Sequence, residues 1–203
     1  MIANDRAFSE MASSARKRLE NRKPEELAAR SGGMYDAQNR ILRLKSLGQE
    51  VSLALPEYSF VQPLDKWHQL VILHYLDMAD AAPVSDELLA FGGLKDGLIR
   101  GTKFDREMER ELCSFLKGRH REQLYSLIAA CGGEIVESNA DICARFDFLP
   151  FYPLWLKIWL ADEEFEASGK LLLSRSADHY LTVEDAVTVG SIFLSRLRMA
   201  QDN

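Results

Sequence analysis

The residues with the greatest chemical potential lie in one acidic segment late in the chain. Asp162, Glu163, Glu164 and Glu166 lie close together, and His179 follows some residues later. Carboxylates and an imidazole can together hold a divalent cation or carry out general acid–base chemistry. The same composition is also typical of a solvated hairpin turn whose charges keep strands from pairing edge to edge. We interpret the segment as a turn, and a metal-assisted site that uses Asp162, Glu163, Glu164 and His179 is the alternative.

A second candidate is the histidine in the middle of an apolar helical stripe. His74 lies within the stripe formed by Trp67, Leu70, Val71 and Met78. An imidazole titrates near neutral pH, so His74 is a candidate ligand contact or proton relay. A core histidine satisfied by one hydrogen bond is the alternative interpretation.

An aromatic segment gives a third candidate, this time a binding surface. Trp155 and Trp159 flank Lys157 on one face of a predicted strand, with Phe151 and Tyr152 just before it. If that face is exposed, it is an apolar patch of the kind that marks partner or ligand surfaces. If helices cover it, the face is core. Apolar residues on both faces of the segment favour burial.

The three cysteines indicate neither a disulfide framework nor a metal site. Cys113, Cys131 and Cys143 are widely spaced and form no C-x-x-C pair or paired Cys/His spacing of the zinc type. The apolar helix face predicts a buried Cys131, whereas Cys143 shares a strand face with two charged residues and is the least core-like of the three. We therefore predict free thiols, no metal and no cofactor.

Hydrophobic periodicity predicts a mixture of helices and hairpin-like strands. Strands are predicted at 40–45 and 50–55, joined by a short turn. Capping boxes at Thr102-x-x-Asp105 and Thr182-x-x-Asp185 predict the starts of two helices. Because helices and strands come in blocks, the predicted class is α+β with a largely antiparallel sheet packed with helices. The predicted organisation is a single domain over 1–203, with 1–33 a possible N-terminal helical arm.

Charge and hydropathy limit the partners of the chain. The net charge is −6, but residues 1–45 carry ten Lys and Arg against six Asp and Glu. An acidic body disfavours nucleic acid, although a basic helix could still contact it. The cations of that helix are Arg16, Lys17, Arg18, Arg22 and Lys23. Because no apolar run is long enough to span a bilayer and the first residues lack a secretory signal, we expect a cytoplasmic protein.

Three short segments carry a family resemblance. They are Leu149-Pro150-Phe151-Tyr152-Pro153, the run Trp159-Leu160-Ala161-Asp162-Glu163-Glu164-Phe165, and Tyr180-Leu181-Thr182-Val183-Glu184-Asp185. Together with His74-Tyr75-Leu76, they resemble a prokaryotic domain family of unknown function, found largely in anaerobic bacteria and archaea. The resemblance covers roughly residues 65–200 and implies that some relatives are joined to iron–sulfur modules. It implies no activity.

These observations leave the choice between enzyme and binding protein open. The leading hypothesis is a cytoplasmic binding or accessory domain without catalysis of its own, acting with a metabolic or redox assembly. Its partner would be a protein, a second copy of the chain or a small molecule bound near His74, Trp155 or Trp159. The alternative is the metal-assisted hydrolase, or another small-molecule enzyme, at the acidic segment.

Overall fold

The computed structural model describes the backbone of residues 2–201 and the side chains of residues 6–200. Met1 and residues 202–203 of the predicted domain lie outside the described residues. Six α-helices lie within the described range: α1 (Ile2–Leu19), α2 (Pro24–Ser31), α3 (Lys66–Met78), α4 (Gly97–Leu116), α5 (Arg121–Ala130) and α6 (Val183–Gln201). Short 3₁₀ turns occupy Phe91–Gly93 and Arg175–His179.

The strands form two antiparallel sheets. They are β1 (Met34–Asp36), β2 (Ile41–Ser46), β3 (Gln49–Ala54), β4 (Ser59–Phe60), β5 (Leu88–Leu89), β6 (Glu134–Ile135), β7 (Ile142–Leu149), β8 (Tyr152–Trp159) and β9 (Ser168–Ser174). The first sheet has the order β1-β2-β3-β4, and the second has the order β5-β9-β8-β7-β6. Every strand pair is antiparallel, which confirms the predicted α+β class. The prediction did not separate the strands into two sheets.

The predicted first hairpin is confirmed, and its turn joins the two sheets. Ser46 of β2 pairs with Gln49 of β3, so Leu47 and Gly48 form a two-residue turn in which both φ angles are positive. The backbone N–H of Leu47 donates to the carbonyl of Asp147 in β7 at 3.1 Å. The Ser46 hydroxyl donates to the Phe148 carbonyl at 2.7 Å. These two bonds fix the first sheet against the second.

The N-terminal helices are part of the packed body. Ala12, Ala15 and Leu19 of α1 are buried, as the predicted stripe requires. Arg18 and Arg22 both form ion pairs with Asp77 of α3, at 2.5 and 3.1 Å. Helices α1 and α2 lie within the 1–33 segment, α1 docks on α3, and the cations Arg18 and Arg22 are already paired within the chain.

Two predictions about local structure are wrong. Helix α4 begins at Gly97, not at Thr102. Thr102 and Asp105 do not form the predicted cap, because the carboxylate of Asp105 accepts from the backbone N–H groups of Phe91 and Gly92. Cys143 is only 3% exposed, although its strand neighbours are charged. Two other local predictions are confirmed: Cys131 is buried, and Thr182 and Asp185 cap α6 through bonds in both directions.

Candidate ligand-binding groove between α3 and α6

Two cavities meet along helices α3 and α6 and form one groove. The smaller measures about 430 Å³ and lies among α1, α3 and the start of α6. The larger measures about 800 Å³ and runs along α6 beside the β2–β3 turn. Trp67 and Thr188 line both cavities, so the two are neighbours. We call the whole space the α3–α6 groove.

Helical periodicity explains why these residues share one surface. The α3 residues that line the groove recur at intervals of three and four: Trp67, Leu70, Val71, His74, Asp77 and Met78. The α6 residues follow the same pattern: Val187, Thr188, Ser191, Ile192, Ser195, Arg196 and Met199. The groove lining therefore combines apolar side chains, such as Leu70, Val71 and Ile192, with polar and charged ones. Small-molecule sites likewise join apolar walls to polar groups that fix the orientation of the ligand.

At one end of the groove, a carboxylate orients an imidazole. Nδ1 of His74 lies 2.6 Å from Oδ1 of Asp185. The other oxygen of Asp185 accepts from the Thr182 hydroxyl at 2.7 Å. Because a carboxylate only accepts, Nδ1 carries the proton, so the uncharged form of the ring is the Nδ1–H tautomer, with its lone pair at Nε2. The His74 side chain is 21% exposed and the Asp185 side chain 11%, so the imidazole is the more accessible member of the pair.

We predict that Asp185→Asn changes the tautomer of His74. In the wild type, the side-chain nitrogens of neutral His74 should show the Nδ1–H form by long-range ¹H–¹⁵N correlation NMR. The asparagine amide can donate as well as accept, so the preference for Nδ1–H should weaken. His68 gives a control in the same spectra, because its own bonds do not involve Asp185. A wild-type His74 in the Nε2–H form would contradict the assignment.

A second histidine lines the larger cavity but serves the core. His68 is 8% exposed, and its Nε2 lies 2.8 Å from the Ser46 hydroxyl oxygen. Since that hydroxyl gives its hydrogen to Phe148, Nε2–H of His68 donates to it. Burial lowers the pKa of His68 to about 4, so the ring is neutral at physiological pH. His68 therefore adds no charge to the groove.

An arginine without a partner lines the larger cavity. Arg196 of α6 is half-buried, and its guanidinium makes no hydrogen bond or ion pair with the described residues. Arg100 lines the same cavity, but its Nε lies 3.1 Å from Glu184. The one carboxylate of the lining is Asp65, which caps α3 by accepting from the N–H groups of Trp67 and His68. The cavity lining thus carries two cations against one anion.

Comparison with known proteins identifies the family. The model of a family described as a domain of unknown function, DUF3786, matches residues 23–196. The chain belongs to the DUF3786 family. No curated protein and no solved structure in the comparisons matches it. The match includes α3 and nearly all of the α6 residues that line the groove, and it begins after α1.

The DUF3786 chain does not bring His179 to the acidic segment. Strand β9 separates them, and its seven residues span about 20 Å. His179 instead pairs with Asp80, with Nδ1 and Oδ2 2.7 Å apart. Asp162 accepts from the backbone N–H groups of Glu164 and Phe165, and these bonds lower its pKa. The segment is thus a capped turn.

The remaining acidic candidates follow the same pattern. Glu163 and Glu164 are exposed, and Glu166 lies 3.7 Å from the ammonium of Lys117. Within the described residues, no three His, Cys, Asp or Glu side chains are placed to hold a metal ion. The geometry therefore gives the hydrolase hypothesis no assembled site at Asp162, Glu163, Glu164 and His179.

The aromatic face of β8 is half-buried and lies outside the groove lining. Trp155 pairs in register with Arg145 of β7 and Leu172 of β9. The guanidinium carbon of Arg145 lies 5.7 Å from the centroid of the Trp155 ring. Trp159, at the end of β8, is half-buried as well. Of the three ligand-binding candidates, the structure places only His74 in the groove.

Sequence reasoning missed two residues of the groove. Asp185 was identified only as a cap of α6, because nothing in the sequence shows that α6 begins beside His74. Arg196 is one of many surface-type cations in the sequence, and its lack of a partner is visible only in three dimensions. One signal was available: Val187, Ser191 and Ser195 recur at helical spacing and could have suggested a weakly apolar, open face of α6.

The described part of the chain contains no helix whose length and apolar character would suffice to cross a membrane.

Proposed function

We propose that this DUF3786 chain is a cytoplasmic binding domain that holds a small molecule in the α3–α6 groove. The observation that carries the proposal is the pair of neighbouring cavities, about 430 and 800 Å³, that share Trp67 and Thr188 as lining residues. Concave spaces of roughly 300–1,000 Å³ are typical of small-molecule sites. A small molecule that fits these two cavities could bury most of its surface in them.

The polar groups of the groove favour binding over catalysis. His74 offers a fixed hydrogen-bond acceptor at Nε2, oriented by Asp185. Among the described residues, no second acid–base group or nucleophile is bonded to Nε2 of that ring. Catalytic sites usually place such a partner within hydrogen-bonding distance of the histidine. His74 then selects ligands that carry a hydroxyl or N–H donor. This role as an accessory domain is the one expected from the sequence.

Filling the groove should weaken binding of a neutral apolar probe. The double variant Trp155→Phe, Trp159→Phe leaves Trp67 as the single tryptophan of the three in the chain. Titration with the neutral dye phenylnaphthylamine should quench Trp67 by energy transfer at close range. Adding Ser191→Phe, which places a ring in the groove, should weaken the dye affinity at least about tenfold, equivalent to ~1.4 kcal/mol.

A matched serine outside the groove provides the control. Ser191 donates to the carbonyl of Val187 one turn earlier in α6, and Ser126 of α5 donates to Glu122 in the same way. Both serines are exposed. Ser126→Phe should leave the dye affinity unchanged. Equal loss in both variants, or no dye binding to the parent protein, would refute the groove as a binding site.

A further inference from the structure

The guanidinium of Arg196 is placed to bind a charged group of the ligand. It lines the larger cavity, is half-buried and has no hydrogen-bonding or ion-pairing partner in the described residues. The chain has 31 Asp and Glu against 25 Lys and Arg, so carboxylates are in excess. Other arginines near the groove form ion pairs with carboxylates: Arg18 and Arg22 pair with Asp77, and Arg100 pairs with Glu184. Arg196 forms no ion pair with the described residues.

The neighbours of Arg196 cannot supply the missing negative charge. Asp65 is the one carboxylate among the described residues that line the larger cavity, and its Oδ1 accepts from two backbone N–H groups at the start of α3, at 2.9 and 3.2 Å. Cys131 is electrostatically coupled to Arg196, but burial raises the pKa of its thiol, which therefore stays protonated. A partly desolvated cation without a counter-charge is unfavourable, and an anion from outside would relieve that cost.

We infer that the ligand of the α3–α6 groove is an amphiphilic organic anion, whose carboxylate or phosphate pairs with Arg196. The inference rests on the proposed function. Guanidinium groups bind both kinds of anion through two parallel hydrogen bonds. Apolar side chains along the same cavity, among them Leu64, Val187 and Ile192, provide a surface for the apolar part of the molecule. Size, apolar lining and cation together define this ligand class.

Two dyes that differ only in a sulfonate test the inference. Anilinonaphthalene sulfonate is the anionic counterpart of phenylnaphthylamine, and both report binding through Trp67 in the Trp155→Phe, Trp159→Phe protein. We expect the anionic dye to bind about tenfold more tightly, because a charge-assisted pair replaces water at the guanidinium. Arg196→Gln should remove this preference, so that the two dyes bind with similar affinity. Arg196→Lys should retain part of it.

Arg106 of α4 is the matched control. It is exposed, lies outside the cavity lining, and its guanidinium likewise makes no bond with the described residues. Arg106→Gln makes the same change in net charge and should leave the preference for the anionic dye intact. Loss of the preference in both variants would assign it to net charge and overturn the inference. An equal affinity of the wild-type groove for both dyes would also overturn it, but the proposed function would stand.

Competition then distinguishes the two anion sources. Naphthoate and naphthyl phosphate should each displace the anionic dye from the wild-type groove, whereas neutral naphthamide should do so about tenfold less well. A stronger effect of naphthyl phosphate assigns a phosphate ligand, and a stronger effect of naphthoate assigns a carboxylate. If naphthamide competes as well as both anions, no charged group is recognised and the inference fails. If no dye binds at all, the proposed function itself fails.

Discussion

Gly101→Ala should destabilise the protein by about 3 kcal/mol, although glycine-to-alanine changes within helices usually stabilise by up to about 1 kcal/mol. The reason is a close approach of backbone to backbone. A Cβ atom at Gly101 would lie 2.1 Å from the carbonyl oxygen of Phe91 and 2.8 Å from the backbone nitrogen of Gly92. Neither atom belongs to a side chain that could rotate away.

Asp105 prevents the loop from retreating. Its two carboxylate oxygens accept from the backbone N–H groups of Phe91 and Gly92 at 3.0 and 2.9 Å. The loop is thus clamped onto α4 one turn beyond Gly101, and relief of the clash would break buried hydrogen bonds. Urea denaturation of wild type and variant gives the change in the free energy of unfolding. Ser114→Ala, at an exposed position of the same helix, should change stability by no more than ~0.5 kcal/mol.

Unchanged or increased stability of Gly101→Ala would contradict the expected clash. If Gly101→Ala unfolds at the same or a higher urea concentration than the wild type, with an unchanged m-value, helix propensity dominates and the loop is not held rigidly. The result also bears on the groove. Arg100 is the residue before Gly101, so a shift of α4 against the Phe91–Gly93 turn would move a cation of the cavity lining.

The wild-type protein should lose about 2 kcal/mol of stability between pH 7.5 and pH 5 through His68 alone. Burial lowers the pKa of this histidine to about 4 in the folded state, whereas its unfolded value is near 6.5. The unfolded chain therefore takes up a proton as the pH falls through 6.5, and the folded chain resists it until about pH 4. Stability is full above pH 6.5 and is lost progressively in that window, approaching ~3 kcal/mol at its acidic end.

His68→Gln isolates this contribution. Glutamine can still donate to the hydroxyl of Ser46 but does not titrate, so the variant should lose about 2 kcal/mol less than the wild type over the same pH interval. Folded-state bonds that lower the pKa of carboxylates such as Asp80 and Asp162 act equally in both proteins and cancel in the difference. His120→Gln, at an exposed histidine, should reproduce the wild-type pH dependence.

The opposite result would be informative about the core. If wild type and His68→Gln lose stability in parallel, His68 accepts a proton in the folded state and its surroundings must be more polar than its 8% exposure suggests. A neutral His68 also matters for the ligand. Above pH 6.5 the larger cavity keeps its two guanidinium groups as the only cations of its described lining, so its preference for anions should not depend on pH there.

Local patterns in the sequence were sufficient for most secondary structure. The β2–β3 hairpin follows from alternation on both sides of a short turn, and α6 follows from its cap at Thr182 and Asp185. These features depend on neighbours within a few residues, so the sequence contains their cause. The start of α4 does not follow from its neighbours in sequence. Thr102 and Asp105 have the spacing of a cap, but Asp105 is used by the distant Phe91 loop, and only packing determines that choice.

The candidate site residues also differ in how far the sequence could predict them. His74 could be selected from the sequence because a histidine in an apolar stripe is conspicuous by itself. The separation of His179 from Asp162, Glu163 and Glu164 could not, because the strand β9 lies between them in the chain and His179 pairs instead with Asp80.

The sequence by itself determined the α+β class, the amphipathic helix faces and the capped start of α6, because periodicity and capping act over one or two turns of chain. Tertiary structure alone decided that α6 begins beside His74 and that Arg196 lines the larger cavity without an ion-pair partner among the described residues. Partners that are more than a hundred residues apart, such as His74 and Asp185, meet only when the helices pack, and no local pattern records that meeting. The candidate site is a property of packing.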